Sequence, residues 1–270
     1  MSELAALEIK SSKPAVPSVL ILVLAFVGEI VSLAVSAFRF LIQGKVSVRN
    51  ILHQMSAIGV DALPIAITTT LSTGAVFALY TAGIFVQFGA STFLGGMLTL
   101  SFVLELGPLL AGITVASRSG AAIAAEIGSM VVTEQVDALR SLAVSPIRYL
   151  VAPRLIACII VMPIVGVFAD LSGVFGCYLM SRNAGIPGQV FIESARTMVT
   201  QTELFKGLVK TVVFGALIAI ISCQQGLRTK GGATGVGRAT TSSVVLCVVV
   251  IFIADFFLAQ ILTGPALKGR

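Results

Sequence analysis

The sequence predicts an all-α integral membrane protein, and three observations support that fold class. Of the 270 residues, 57% are hydrophobic and only 11% are charged, a composition typical of chains embedded in a bilayer. Several uncharged runs have the length that one helix needs to cross the hydrocarbon. The charged residues collect in short segments between those runs, where a spanning protein meets water.

The first elements are a polar tail over residues 1–18 and an interfacial or elbow region over residues 19–55. Residues 19–38 are apolar apart from Glu29, and a basic cluster follows at once. This stretch could cross the membrane, lie in the interface, or act as an uncleaved signal anchor. A crossing would place Lys10 and Lys13 opposite the basic cluster, so the interfacial or re-entrant interpretation is favoured.

Five spanning helices are predicted over about residues 62–86, 94–116, 155–180, 207–227 and 243–263. The charge-free stretch that supplies the first two is about twice as long as one span needs. Gly89, Gly95 and Gly96 mark the turn between them. A short amphipathic helix from Gln189 to Gln201 connects the third span to the fourth.

A long polar interruption, residues 117–149, separates the second span from the third. At about 100° per residue, its apolar residues fall on one side of a helix and Glu134, Asp137 and Arg140 fall on the other. A helix with these charges cannot span lipid. We predict one amphipathic helix over about residues 124–143, ending before Pro146. It either docks on another protein, which we favour, or lies solvated between two spans. The apolar residues are Val131, Val132, Val136, Leu139 and Leu142.

The distribution of basic residues predicts the orientation. Most of the 18 lysines and arginines lie on one side if the tail, the opening loop and the loop after the fourth span share that side. Since cytoplasmic loops carry the excess of basic residues, we predict a cytoplasmic N-terminus and a multi-pass protein of the inner (plasma) membrane. The polar interruption then also faces the cytoplasm.

A stripe of small residues runs from the second span into the polar interruption. Small residues at every fourth position allow two helix backbones to approach closely in lipid. We therefore predict a helix-packing seam. The seam residues are Gly112, Ala116, Gly120, Ala124 and Gly128.

The sequence offers no support for an enzyme. His53 is the only histidine, which argues against metal sites and against triads that need a histidine base. The glycine-rich loop near Gly232 has Arg238 where a phosphate-binding loop needs lysine and Ala239 where it needs a hydroxyl. Neither a metal site, a cofactor nor a nucleic-acid partner is predicted. Any energy that the protein uses must come from a partner or from an ion gradient.

Two carboxylates within apolar spans, Glu105 and Asp255, are candidate functional residues because a charge in lipid needs a partner or a cavity. A buried ion pair or a protonated carboxyl that fixes helix register would explain the same residues. For Asp170 and Glu29 this structural role is favoured. One possible function for these acids is that of an ion-coupled secondary transporter that uses Glu105, Asp170 and Asp255. We keep it as the alternative to the function that the family resemblance described below implies. Such transporters usually contain internal repeats, and the sequence shows none.

Short strings between about residues 50 and 260 occur in a specific order. They are ELGP at 105–108, RSG at 118–120, AEIG at 125–128, EQVDAL at 134–139, SP at 145–146, PR at 153–154 and RATT at 238–241. Together they resemble the MlaE/YrbE permeases of lipid-transporting ABC systems. The resemblance implies that residues 56–270 form a permease domain, that two copies associate, and that an interfacial helix precedes five transmembrane helices.

The resemblance also implies the site residues and the partners. A coupling helix would dock on a dimeric cytoplasmic ATPase, which binds ATP and magnesium, through Glu126, Glu134, Asp137, Leu139 and Arg140. A lipid cavity would contain a charged network of Glu105, Arg238 and Asp255. Further partners would be a hexameric ring of MCE-domain proteins on the outer face, a small STAS-domain protein and phospholipid. Some relatives carry a basic residue before the glutamate, where this chain has Leu104.

Overall fold

The computed structural model describes residues 18–42 and 47–267, with side chains placed within 25–40 and 47–262. This part of the chain contains helices and no strand. Five of its helices are long and apolar enough to cross a membrane, which confirms the predicted fold. Residues 1–17 of the predicted tail lie outside the described residues. The helices are α1 Ser18–Ile42, α2 Val48–Gln87, α3 Ser91–Val132, α4 Gln135–Ser141, α5 Ile147–Asn183, α6 Gly188–Met198, α7 Gln201–Leu227 and α8 Gly232–Leu267.

The spanning helices extend beyond the predicted spans. α2 begins at Val48 rather than near residue 62, and α5 begins at Ile147 rather than near residue 155. The prediction followed charge-free runs, which mark the part of a helix that lipid covers. A helix satisfies its own backbone hydrogen bonds, so it continues past the hydrocarbon and carries charged residues at its ends.

α2 and α5 pack side by side through glycines. A Cβ on Gly74 would overlap the carbonyl oxygen of Gly173, and a Cβ on Gly176 would overlap the α2 backbone. The hydroxyls of Thr70 and Ser172 lie 2.6 Å apart and share a hydrogen bond between the two helices. This close approach is the type of packing that small residues allow in membranes.

The predicted small-residue seam of α3 lies against α7 and α8. A Cβ on Gly112 would lie 3.2 Å from the Phe214 ring of α7, and a Cβ on Gly120 would lie 2.9 Å from the Ser222 hydroxyl. Gly128 similarly faces Thr229, just after α7. Ala116 and Ala124 are fully buried. α7 therefore lies at the centre of the bundle, with α3 and α5 around it.

α6 packs against the start of α3. A Cβ on Gly95 would overlap the carbonyl oxygen of Phe191, and the backbone N–H of Gly96 donates a hydrogen bond of 2.9 Å to the Ser194 hydroxyl. These glycines thus accommodate α6 and are not part of the turn they were predicted to form, which is limited to residues 88–90. We call this end of the bundle the α6 end and the opposite end the α4 end.

The amphipathic helix predicted over residues 124–143 is wrong as a single element. α3 continues to Val132, Glu134 takes a left-handed conformation with φ of 59°, and only Gln135–Ser141 form α4. Ala143, at φ 55°, ends the segment in the same conformation. Because the chain changes direction at Glu134, Val136 is the member of the predicted apolar face that becomes buried, while Leu142 is 73% exposed.

α1 lies at the α4 end of the bundle. The Glu29 carboxylate accepts a hydrogen bond of 3.0 Å from the Gln224 side chain and lies 3.3 Å from the Arg228 guanidinium. Both partners belong to the last turn of α7 or follow it directly. Glu29, whose charge was predicted to have a structural role, therefore connects α1 to α7.

Candidate functional site

Glu105 lies in an irregular turn of α3. Residues Phe102–Leu106 form a π-helical turn directly before Pro108. Since proline has no backbone N–H, one α-helical hydrogen bond cannot form here, and π turns of this type are frequent at functional sites. On the facing helix α7, Gly207 packs so closely that a Cβ would overlap the carbonyl oxygen of Val103. The π turn and the glycine together bring α7 close to Glu105.

A buried lysine joins the two predicted carboxylates. The Lys210 ammonium of α7 lies 2.6 Å from a Glu105 oxygen and 2.9 Å from an Asp255 oxygen. Lys210 is 2% exposed, Asp255 is largely buried, and Glu105 is 43% exposed. We call these three residues the Lys210 cluster. One residue comes from each of α3, α7 and α8, so the cluster connects three spanning helices.

The Lys210 cluster carries one more negative than positive charge when all three groups are ionised. A buried ammonium is tolerated in an apolar surrounding only when it is paired. Glu105 is open on one side, so part of the excess charge is accessible from outside the helix bundle. An ammonium held by two carboxylates is a poor nucleophile or base. The Lys210 cluster can instead attract a polar group to the exposed side of Glu105. It can also couple the positions of α3, α7 and α8.

The structure does not bring Arg238 to this cluster, which corrects the predicted network of Glu105, Arg238 and Asp255. Arg238 is exposed near the start of α8, about 25 Å from Asp255 along the helix axis at the rise of an α-helix. Lys210 supplies the positive charge instead. Sequence reasoning missed it, although Lys210 is the only basic residue inside any predicted span.

A second buried cation lies at the α4 end. The Arg154 guanidinium of α5 is 2.7 Å from the Glu126 carboxylate of α3 and donates a hydrogen bond of 2.8 Å to the Leu150 carbonyl oxygen. Arg154 is 3% exposed, whereas Glu126 is 56% exposed. We call this contact the Arg154 pair. It connects the last turns of α3 to the first turns of α5, on either side of the α4 segment.

The remaining predicted coupling residues lie on or beside α4. Glu134 is exposed, Leu139 is half-buried, and the exposed side chains of Asp137 and Arg140 form an ion pair of 2.8 Å within α4. A polar cleft of about 550 Å³ opens between α4 and the Arg154 pair, lined in part by His53 and Gln135. No group of three metal-ligating side chains occurs among residues 18–42 and 47–267.

Asp170 of α5 lies apart from the Lys210 cluster. Its Oδ1 atom is buried without a hydrogen-bond partner, and a Cβ on Gly107 of α3 would overlap that oxygen. Glu105 and Asp255 meet through Lys210, but Asp170 pairs with neither. The three acids of the alternative ion-coupled mechanism are therefore not assembled into one relay in this structure.

Known proteins resemble most of the chain. The family profile described as Permease MlaE matches residues 51–261. A probable ABC transporter permease protein of Synechocystis sp. is 42% identical over 238 residues, which cover 86% of this chain and 90% of the relative. A probable ABC transporter permease protein of Rickettsia typhi is 44% identical over 213 residues, or 78% and 82% of the two chains. The chloroplastic protein TRIGALACTOSYLDIACYLGLYCEROL 1 of Arabidopsis thaliana is 38% identical over 233 residues, or 85% and 67%.

Proposed function

Because the chain belongs to the MlaE family of ABC transporter permeases, we propose that it is the non-catalytic membrane subunit of a lipid transporter driven by a separate ATPase. The chain is a multi-pass membrane protein. The α4 end carries most of the basic residues, which favours a cytoplasmic α4 end, a cytoplasmic N-terminus and insertion in the inner (plasma) membrane. ATP and magnesium then bind to the ATPase and not to this chain.

The main support for this proposal is the exposed position of α4 between two spanning helices. α4 is exposed except for the buried Val136 and the half-buried Leu139, and left-handed residues bound it at Glu134 and Ala143. The Arg154 pair joins the two spanning helices from which the segment projects. A protein that binds α4 can therefore displace α3 and α5 together. The exposed acids of the segment would meet a basic rim on the ATPase.

A second copy of the chain is the proposed occupant of the exposed face of α8. Val245, Val249, Phe252 and Phe256 are exposed at the spacing that places them on one side of a helix. Two copies that meet along this face would enclose a cavity near the Lys210 cluster, because Asp255 also belongs to α8. Glu105 would then offer the polar contact in a cavity with otherwise apolar walls.

A phospholipid or a related lipid is the proposed substrate. Such a molecule needs both an apolar cavity and a polar contact for its head group, and the α8 face and Glu105 provide the two. One relative bears the name of a lipid, trigalactosyldiacylglycerol. We propose that a ring of MCE-domain proteins at the α6 end exchanges the lipid with the cavity, and that a small STAS-domain protein accompanies the ATPase.

The proposal is tested by reversing the charge of the α4 surface. In the purified complex, Glu134→Lys combined with Asp137→Lys is expected to release the ATPase while two copies of the chain stay associated, because the exposed acids would then repel a basic rim. Subunit composition is measured by native mass spectrometry at physiological salt.

Exchanging the two charges of the α4 ion pair provides the matched control. Asp137→Arg combined with Arg140→Asp keeps both the net charge and the ion pair, so release of the ATPase by this variant would indicate that the position of each charge matters. A complex that retains its ATPase with both acids replaced by lysine would contradict docking through this surface.

A further inference from the structure

An apolar groove runs along the exposed face of α5, away from α8. Two adjoining cavities of about 470 and 230 Å³ form it, and they share Leu171, Val174 and Val199. α6 and the first turns of α7 border the groove, with Phe175 and Leu204 among its exposed apolar residues. We call it the α5 groove. Its large apolar side chains would contact lipid or another protein in a membrane.

Asp170 lines the inner part of the α5 groove. Its Oδ1 atom is buried and has no hydrogen-bond partner. Asp170 lies about 20 Å along the axis from the nearer end of α5, Asn183, at the rise of an α-helix. The carboxyl is thus near the middle of the membrane, where an unpaired charge is costly. The carboxyl already lies against the Cα atom of Gly107, so it cannot move further toward α3.

Among the described residues, no basic side chain pairs with Asp170. Lys206, at the start of α7, lies 3.9 Å from the carboxylate of Glu203. Lys210 is held by Glu105 and Asp255. Arg196 lines the other cavity together with Tyr178, a residue about 12 Å along α5 from Asp170. A second copy that presents its α8 face would bring the apolar stripe of valine and phenylalanine side chains, without a donor for the carboxyl.

The depth of Asp170 decides which kind of occupant fits. Lipid tails carry no hydrogen-bond donor, and the head groups of the lipids around the protein, unlike that of a lipid held in the transport cavity, lie at the membrane surface. A transmembrane helix can present a polar side chain at that depth, and polar side chains between helices are a common source of association in membranes. Lysine or arginine would in addition neutralise the carboxylate.

We infer that the α5 groove is a docking site for a transmembrane helix of another protein, which carries one basic side chain near its centre to pair with Asp170. The apolar side chains of the groove would pack along this helix, and the pairing with Asp170 would fix its depth. The inference concerns a surface that the proposed transport cycle does not use. It can therefore be right or wrong independently of lipid transport.

Two synthetic helices provide the probe. Each has about 23 leucine and alanine residues, enough to span a bilayer, and one of them has a single central lysine. The full-length protein is reconstituted in phosphatidylcholine vesicles, and association is measured by energy transfer between labels. The lysine helix is expected to bind about tenfold more tightly than the helix without lysine, as one polar contact between helices would provide.

Two variants of the acidic residues test the pairing. Asp170→Asn should remove the preference for the lysine helix, whereas Asp61→Asn, which breaks an exposed ion pair between α2 and Arg118, should leave the preference unchanged. Equal binding of both helices to the unmodified protein would overturn the inference, as would a preference that persists in Asp170→Asn.

The groove itself is tested with bulky substitutions. Leu171→Trp should fill the groove and weaken binding of the lysine helix about tenfold, whereas Leu79→Trp on the exposed face of α2, outside the lining of both cavities, should not. Native mass spectrometry of the purified protein tests whether a lipid occupies the groove instead of a helix. If neither helix binds, and a lipid retained by the unmodified protein is lost from Leu171→Trp, the groove is a lipid site and the inference is wrong.

Discussion

The Lys210 cluster and the Arg154 pair have the same arrangement of charged side chains, at two depths of the helix bundle. In each, a cation that is almost fully buried contacts a carboxylate of α3 that is about half exposed. The difference lies in the balance of charge. Arg154 meets one carboxylate and one carbonyl oxygen, whereas Lys210 meets two carboxylates. When all of these groups are ionised, the Arg154 pair is neutral, whereas the Lys210 cluster retains one negative charge.

The difference in charge balance indicates two roles. A neutral, geometrically fixed pair such as Arg154 with Glu126 suits a mechanical connection between helices. A cluster with excess charge beside an irregular turn depends more strongly on its surroundings, because each added or removed charge changes the repulsion between the two carboxylates. We expect the Lys210 cluster to respond to substrate and the Arg154 pair to transmit movement from α4.

The largest effect on stability is expected from Lys210→Met. It leaves Glu105 and Asp255 close together without a cation, and loss of one partner from a buried ionic group costs about 3–5 kcal/mol. Thermal unfolding in detergent can be followed with a thiol-reactive dye, since Cys158, Cys177, Cys223 and Cys247 are all buried. The midpoint should fall more than for any variant of the Arg154 pair.

Neutralising the carboxylates as well provides the control for that variant. Lys210→Met combined with Glu105→Gln and Asp255→Asn removes the repulsion and should recover most of the lost stability, because uncharged replacements of a buried ionic group are often well tolerated. If this triple variant is as unstable as Lys210→Met, packing of the lysine side chain and not charge holds the three helices together.

A smaller loss is expected from Arg154→Met. The remaining carboxylate, Glu126, is 56% exposed and regains contact with water, so the cost should be about 1.5–3 kcal/mol, that of lost charged hydrogen bonds. In the reconstituted complex, ATP hydrolysis should continue while lipid transfer falls, since movement of α4 no longer reaches α3 and α5 together. Equal losses of both activities would argue against a mechanical role.

A substitution of a neighbouring glycine can shift the position of Glu105 without replacing any charged residue. A methyl group introduced by Gly107→Ala would overlap the Asp170 carboxyl, and we expect it to displace the neighbouring π turn and lower lipid transfer about tenfold, the effect of about 1.4 kcal/mol. Gly83→Ala is the matched control, because a Cβ there meets nothing within 4 Å. Similar transfer by the two variants would show that the turn tolerates displacement.

The smallest effect on stability is expected for the exposed pair on α4. Asp137→Asn breaks an ion pair between two well-exposed side chains, and such pairs contribute less than about 0.5 kcal/mol within a helix. The unfolding midpoint should stay within error of the unmodified protein. A loss as large as that of Arg154→Met would mean that α4 is held by its charges, contrary to its single buried anchor at Val136.

The spans and the amphipathic helix α6 could be predicted because hydrophobicity and periodicity depend on local sequence. The division of the predicted coupling helix could not. Neither glycine nor proline marks the break at Glu134, and the helical period of apolar residues continues across it. The glycine contact between α2 and α5 is also absent from local patterns, since Gly74 has its partner, Gly173, on a distant part of the chain.

The carboxylates of the site were predictable and their partners were not. Glu105 and Asp255 stand out because charge is rare in apolar runs. Lys210 and Arg154 lie at the edges of such runs, where basic residues usually face water or lipid head groups, and only the packing of α7 and α5 shows that they are buried. The family pattern suggested Arg238 for a role that Lys210 occupies.

The most direct test of the account measures lipid transfer and ATP hydrolysis in the same vesicles for the unmodified complex and for Glu105→Ala. A fluorescent phospholipid serves as the transported probe. We predict that the substitution lowers transfer about tenfold, as the loss of one charged contact of about 1.4 kcal/mol would, while the subunits stay associated and ATP is still hydrolysed. Unchanged transfer by Glu105→Ala would contradict a role of the Lys210 cluster in moving lipid.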